Sequence, residues 1–478
     1  MENKKLSIVE KLAYGAGDMA CNLFWGLIVL SSVFYTDYFG ISAAAAATMM
    51  LIVRCLDISF DVLIGAISDR KNSKWGRFRP WILFGVVPFV VIGFFTFYTP
   101  DFGDTMKIVY AYVTYLAFML MYSVVNVPYG ALMGVISEDP QERTSVSAYR
   151  NVMAQVGCLV VYSSLFITVG YFNESGMSKT AAFSTVVGIY AVVVLISLLC
   201  TFFFTRERVA PVKEEKNSLS QDVKDLVANK PWICLTIAGI AMLVFIFVHG
   251  GLTAYYAKYY VADIVADPTA EDGIRFVVNG TFLGFNINWE TLSTILLSIS
   301  SAVTIVGTML IQPVVKQFGK KMTWIGCFVL ASLVSLCFLF VDKTNIGAII
   351  VLQTLFTLFI GPAGYIMWSM YADVADDSEV QTGRRATGLI FSSATMAQKL
   401  GNTLAQTLPL YALAAIGFVA NTQISPEVAD SVKILFSLFP LIGSVIGVGA
   451  LLFYTIDEKK IAENSAKLAE MKKNNANN

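Results

Sequence analysis

Charge is scarce in this chain of 478 residues: Asp, Glu, Lys and Arg make up 14% of it, against roughly a quarter in a typical soluble domain. The 34 basic and 34 acidic residues cancel, so no net field draws in nucleic acid. There is one histidine, His249, and the seven cysteines (Cys21, Cys55, Cys158, Cys200, Cys234, Cys327 and Cys337) form no Cys-x-x-Cys pair. That excludes the usual metal sets and leaves the thiols as small apolar side chains inside apolar runs. A membrane-embedded enzyme would need a nucleophile with a base, or a metal, and these residues supply neither. His249 reads as a hydrogen-bonded interior side chain rather than a ligand or proton relay. Behind the charged start MENKKLSIVEK, the short apolar core and small-residue cleavage site of a signal peptide are missing. The start reads as a cytoplasmic tail.

Apolar residues are abundant, at 56%. A soluble fold of this length would be coated in exposed apolar surface, so the expected solvent is a lipid bilayer. A spanning helix needs about 20 mostly apolar residues. Such segments fall at about 12–38, 42–68, 80–99, 107–136, 148–170, 181–204, 232–261, 291–315, 323–341, 345–372, 386–418 and 430–455. Lys and Arg concentrate on alternate connections, such as Arg70 to Arg79, Arg206 to Lys230, Lys316 to Lys321 and the tail from Lys459. The opposite side receives Lys107, Lys179, Lys258, Arg275, Lys343 and Lys433. The positive-inside bias then places both termini in the cytoplasm of a multi-pass protein of the bacterial inner membrane.

The polar stretch 206–231 reads as a linker between bundles at 1–205 and 232–456, with a cytoplasmic tail at 457–478. The loop from Gly65 through Gly76-Arg77-Phe78-Arg79-Pro80 is echoed by Gln312-Pro313 to Phe318-Gly319-Lys320-Lys321. Two six-helix halves with matching loops imply an all-α polytopic membrane protein of the major facilitator architecture, 12 helices in all. In the outer loop 262–290, Ile274, Phe276 and Val278 alternate with polar partners up to Asn279-Gly280, which predicts a β-hairpin turning there.

Ionised groups at mid-bilayer cost about 2.5–3.5 kcal/mol each on insertion scales, so those inside the spans are informative. Arg54, Asp57 and Asp61 fall on one stripe of the second span. Two carboxylates one turn apart and out of bulk water suit a sodium ion or a shared proton. The alternative is a structural Arg54–Asp57 ion pair. Asp18 and Asn22 are one turn apart in the glycine-rich first span, near Trp25. The fourth span repeats Tyr115, Tyr122 and Tyr129 beside Ser123 and Asn126, with Pro128 expected to break the regular hydrogen-bond ladder. Rings, hydroxyls and amides on one face suit a sugar, although such a stripe also suits packing. The eleventh span carries Gln398, Lys399, Asn402 and Gln406, and Lys399 should face a cavity or an acid. In the tenth, Gly361-Pro362 predicts a break before Tyr365 and Trp368. Asp373, Asp376 and Asp377 with Arg384 and Arg385 read as a charge cluster at the inner surface.

KLAYGAGD at 11–18, FYTDYFGI at 34–41, RCLDISFDVLIGAISDR at 54–70, GRFRPWIL at 76–83, VNVPYGAL at 125–132 and YADVADDSE at 371–379 carry a family likeness. The chain resembles the glycoside–pentoside–hexuronide:cation symporters, the family of the melibiose permease. The resemblance implies a coupling-cation site at Asp57 and Asp61, which would be the metal ligands for sodium, with the Ser123 hydroxyl and Lys399 beside them. It implies a sugar pocket with Arg150 at the start of the fifth span, and Asp18, Asn22, Tyr122, Asn126 and Trp368 are the other candidates for contacting substrate.

Three positions depart from the permease: Asn22 and Asn126 replace its sugar-binding aspartates, Phe60 replaces an asparagine between its acids, and Gly130 replaces its sugar-stacking tryptophan. The expected activity is symport of a glycoside with a proton or sodium ion, by a monomer in membrane lipid, with no cofactor and no nucleic-acid partner. An amphiphilic, lysolipid-like cargo and a non-transporting sensor or scaffold are the rival readings.

Overall fold

The computed structural model describes residues 6–68, 73–137, 140–208, 228–268, 273–282, 285–382 and 387–476. Helices begin where a short polar side chain accepts a backbone N–H that the first turn leaves unbonded. Ser7, Ser178, Asn229, Asn288, Asn345 and Ser425 each do this. The first half contains α1 (Ile8–Val29), α2 (Ala43–Ser68), α3 (Arg79–Thr96), α4 (Asp104–Val135), α5 (Pro140–Glu174) and α6 (Lys179–Phe204). The second contains α7 (Lys230–Tyr256), α8 (Trp289–Phe318), α9 (Lys320–Cys337), α10 (Ile346–Ile360) and α11 (Ala363–Thr382). It continues with α12 (Thr387–Ala415), α13 (Pro426–Leu438) and α14 (Leu441–Leu452), before a terminal helix α15 (Glu458–Ala476).

Among the described residues, 10 helical segments are long and apolar enough to cross a membrane. The two remaining expected spans are α2 and α12, at 26 and 29 residues. Both exceed the required length, and their apolar content is diluted by Arg54, Asp57 and Asp61 on one and by Gln398, Lys399, Asn402 and Gln406 on the other. Within the halves, α1 packs on α5 and α6, α2 on α4, α7 on α12 and α14, and α8 on α10. The halves meet along α2 with α12 and α5 with α8. The break expected at Gly361-Pro362 separates α10 from α11.

The internal echo has a structural basis at the end of the bundle that carries the termini. Gly76 and Gly319 have φ of +107° and +78°, a region L side chains avoid. Each lies against a glutamate that follows the last helix of its half, Glu207 after α6 and Glu458 after α14. Glu207 accepts the backbone N–H of Arg77, Phe78 and Arg79 at 2.8, 2.8 and 2.9 Å. Glu458 accepts that of Lys320 at 2.9 Å. A helix start and the end of the half's last helix are thus tied twice, once in each repeat.

Two expectations need correction, the strand pairing and the place of Arg150. Strand β2 (Ile274–Val278) pairs not across Asn279-Gly280 but with β1 (Ala262–Ala266), antiparallel, Ala262 opposite Val278. β3 (Thr281–Phe282) and β4 (Phe285–Asn286) form a separate two-residue ladder. A two-residue type I′ turn needs positive φ at both central residues, and neither Asn279 nor Gly280 has it. Gly280 instead allows close approach, since a Cβ there would lie 2.7 Å from Ile346 Cγ1. Pro128 interrupts the ladder, having no N–H, without ending α4, as proline can in a membrane helix where neighbours satisfy the freed backbone. Arg150 lies well inside α5, which starts at Pro140.

His249 is buried, with Nε2 2.9 Å from Gln353 Oε1 and its ring stacked on Phe356, as the interior reading expects. Of the expected linker, residues 209–227 lie outside the described residues.

Replacing Glu207 by Ala leaves three N–H groups of one helix start without their acceptor. Losing such a partner costs about 1–3 kcal/mol, so E207A should melt several degrees below the parent in detergent, and E207Q should retain most of the stability.

Candidate cation and substrate site

Asp57 faces away from lipid on α2, with a side chain 2% exposed. A carboxylate buried to that degree needs partners. Its Oδ1 accepts from Ser123 Oγ on α4 at 2.8 Å, and its Oδ2 lies 3.3 Å from Lys399 Nζ on α12. The same ammonium contacts Asp61 Oδ2, one turn along α2. Asp61 is 21% exposed and its Oδ1 is buried without a hydrogen-bond partner. Asp57, Asp61, Ser123 and Lys399 therefore converge, with both acids in the first half and the cation in the second.

Arg54 does not take the role of structural counter-ion. Its Nη2 donates to Gln406 Oε1 on α12 at 3.3 Å, and its guanidinium lies 5.3 Å from the Trp25 ring centroid. Among the described residues it forms no ion pair with Asp57. The spacing on α2 makes that pair geometrically available, but the acids find a nearer cation across the interface.

A second cluster joins α1 to α5. Asp18 is buried and accepts from Arg150 Nε at 2.9 Å. The Arg150 guanidinium also lies 5.7 Å from the Tyr129 ring centroid. The Asn22 amide donates to the Asp18 carbonyl in its own helix at 2.8 Å, while its Oδ1 faces Cys158 Sγ at 3.6 Å. Tyr122 and Asn126 are half-buried on α4, and Tyr122 lies 6.0 Å from Trp25, ring to ring. The aromatic stripe divides, however. Tyr115 and Tyr129 are fully buried, and Tyr129 exchanges reciprocal hydroxyl-to-carbonyl bonds with Tyr14. At Gly130 a Cβ would meet nothing within 4 Å. Trp368 is half-buried on α11, 6.0 Å from the Tyr371 ring.

At the terminal end, Asp373 pairs with Lys320 at 2.6 Å, and Asp377 accepts from Asn464 of α15 at 2.8 Å. Arg384 and Arg385, expected beside these acids, lie outside the described residues.

The sequence reading missed a cluster at the opposite, hairpin-bearing end. Beyond Val29, the first span continues into a π-helical turn, Phe34–Tyr38, and α7 continues into another, Ala257–Val261. A π turn admits one extra residue per turn and commonly marks a functional site. Tyr35-Thr36-Asp37-Tyr38 lies within the first turn, and Tyr256-Ala257-Lys258-Tyr259, the same Tyr-x-charge-Tyr pattern, runs from the last residue of α7 into the second. Lys258 Nζ lies 2.5 Å from Asp37 Oδ1 and donates to Asn421 Oδ1 at 2.7 Å. Tyr259 bonds the same carboxylate, Asn421 donates to the Asp37 carbonyl at 2.6 Å, and Thr36 meets Tyr255 at 2.7 Å. Comparing the two halves position by position would have revealed an acid opposite a base.

Breaking a buried ion pair on one side typically costs about 3–5 kcal/mol, because the other charge is stranded. Lys258→Met should therefore lower the melting temperature by more than the double variant D37N/K258M, a comparison that scanning calorimetry or dye-based unfolding can make.

A family model described as MFS/sugar transport protein matches residues 13–268 and 276–458. A putative glycoside/cation symporter of Escherichia coli (strain K12) is 31% identical over 442 residues, covering 92% of this chain and 90% of the relative. A glucuronide carrier protein homolog of the same organism is 29% identical, covering 98% and 97%. Among solved structures, a bacterial homologue of the human lysosomal transporter Spinster, inward-facing and unoccupied, superposes with a TM-score of 0.65 at 12% identity, over 96% of this chain and 97% of that one. The last likeness is one of fold. With the sequence relatives and the matched model, the assignment is direct: this chain is a multi-pass membrane transporter that belongs to the MFS/sugar transport family, among the glycoside–pentoside–hexuronide:cation symporters.

Proposed function

We propose that this sugar symporter imports a hexuronide or another glycoside without a galactosyl requirement, by alternating access, with Asp57 and Asp61 as its coupling-cation site. The observation that carries the cation assignment is the convergence of Asp57, Asp61, Ser123 and Lys399 from α2, α4 and α12. The Lys and Arg bias favours a cytoplasmic location for the termini and an outer location for the hairpins. In that orientation the buried Asp37–Lys258 cluster closes the outer end. Among the described residues, the ion pairs near the other end, such as Glu10–Arg208 and Lys320–Asp373, stay within one half. The conformation is then closed outside.

The acids belong to one half and Lys399 to the other, and this gives the coupling its physical basis. A proton on Asp61, or a sodium ion held by Asp57, Asp61 and the Ser123 hydroxyl, weakens the attraction that holds Lys399 across the interface. Cation occupancy thereby changes the free energy of the tie between the halves, and linkage requires the sugar to respond by the same factor. Asp61 Oδ1, buried and without a partner, is the oxygen at which the cation adds.

The substrate is assigned to the faces bearing Asn22, Tyr122, Asn126, Arg150 and Trp368. Asp18 acts there by holding Arg150 through its ion pair. Asn22 and Asn126 keep hydrogen bonds to sugar hydroxyls without the repulsion of an anion, about 1–4 kcal/mol for each like charge at close range. The exposed part of Arg150, its side chain being 34% exposed, supplies a cation for a uronate. Open space at Gly130 removes the steric demand for one particular ring.

The test is thermal stabilisation of the purified protein across a panel of glycosides and uronides, in sodium and in choline. Stabilisation by a uronide that exceeds that by melibiose, with sodium adding a further gain that D57N abolishes, is the result expected for sodium coupling. Stabilisation independent of sodium but accompanied by proton uptake assigns the proton. No stabilisation by any sugar, with a response to acyl-chain length instead, would replace the sugar by an amphiphile.

In vesicles, D57N and D61N should lose concentrative uptake while retaining exchange of sugar down its gradient. Full accumulation by either variant would refute the cation site. Labelled melibiose accumulating as well as the best glucuronide would refute the substrate class.

A further inference from the structure

Beyond the transport site, α3 and α4 leave a groove of about 420 Å³ on their outward face near the start of α3. Its walls include Pro80, Trp81, Phe84, Gly85, Met121 and Val124. The face belongs to lipid: Phe84, Val87, Val91 and Phe95 continue along α3 as an exposed apolar stripe, and α3 packs on helices of its own half. Gly85 forms the floor, because a Cβ there would approach Val125 Cγ2 to 2.9 Å and the helices could not come so close.

The mouth of this apolar groove is basic. Arg77 lies at its edge, with Nε buried and without a hydrogen-bond partner. Lys74 Nζ sits 5.1 Å from the Trp75 ring centroid, and Trp75 in turn lies 5.9 Å from Phe84. Among the described acids, Glu207, which abuts Gly76, gives both its oxygens to backbone N–H groups. Among the described residues, neither Lys74 nor Arg77 forms a side-chain ion pair. An apolar slot with a tryptophan and two cations that pair with no described acid at its mouth matches one membrane component. We infer that the groove binds an anionic phospholipid, with an acyl chain along Phe84, Met121 and Val124 and the phosphate on Arg77 and Lys74. Basic pockets between membrane helices bind anionic head groups by this chemistry, and the tryptophan ring suits the depth of the interface. The inference holds whatever sugar is carried.

Native mass spectrometry of the full chain tests it, after equilibration in detergent with phosphatidylglycerol or with phosphatidylcholine of the same acyl chains. The parent should retain phosphatidylglycerol several-fold more than phosphatidylcholine. Arg77→Gln and Lys74→Gln should each reduce that retention by about five-fold, the factor for one interfacial cation. Val124→Trp, which fills the slot, should abolish the selectivity, and Lys230→Gln, remote from the groove, should leave it unchanged. Equal retention of the two lipids by the parent would overturn the proposal, as would undiminished phosphatidylglycerol in K74Q and V124W. Lys74 is exposed and, among the described residues, forms no side-chain hydrogen bond or ion pair, so K74Q decides the matter even if R77Q is unstable.

Discussion

The cost of keeping a charge out of water governs where this chain places its few ionic side chains. In a bilayer a carboxylate that loses its partner finds no solvent to replace it. Asp57 and Asp61 accordingly share Lys399, Asp18 has Arg150, and Asp37 has Lys258. These pairs do different things because of where their members are attached. Asp18 and Arg150 belong to one half, so their pair holds a side chain in place without tying the halves together. The other two sets cross the interface, so every change in their protonation or ion occupancy alters how the halves sit together.

The two cross-interface sets differ in completeness. Asp37 is enclosed by Lys258, Tyr259, Asn421 and its neighbour Thr36, which bonds Asp37 and Tyr255. Near-complete satisfaction in a low dielectric makes such a network strong. At Asp61 one oxygen remains without a partner and a fifth of the side chain is exposed. A group designed only for rigidity would be costly to leave in that condition. The satisfied cluster suits a closure, and the unsatisfied one suits a site that exchanges its occupant.

Much of this was legible in the sequence, for physical reasons that also mark its limit. Apolar runs report spans directly, because backbone in lipid must be helical. Asp57, Asp61 and Lys399 were conspicuous as charges that a bilayer penalises, and the structure brings all three together with Ser123. The choice of partner was legible only through the family resemblance, not from spacing. Helical spacing offers Arg54 to Asp57, whereas Lys399 lies 342 residues away, and only packing brings it closer. The same limit misassigned the strand partner of Ile274–Val278, where a local turn signal competed with pairing across residues 267–273. It also concealed Lys258, which read as an ordinary charge at the outer end of the span 232–261 but is buried against Asp37.

The internal repeat explains why charges of opposite sign meet at the hairpin end. Duplication places the ends of α1 and α7 at equivalent positions, and each continues into a π turn that carries the charge of a Tyr-x-charge-Tyr stretch. Two copies of one charge would repel across the axis. An acid in one copy and a base in the other turn the same geometry into a tie. At the terminal end the repeat retains like with like, because Glu207 and Glu458 each serve a helix start within their own half and never face one another. Divergence between the copies is therefore expected where the halves touch and can be weaker where they do not. That criterion separates the residues that move the halves from those that keep each half intact.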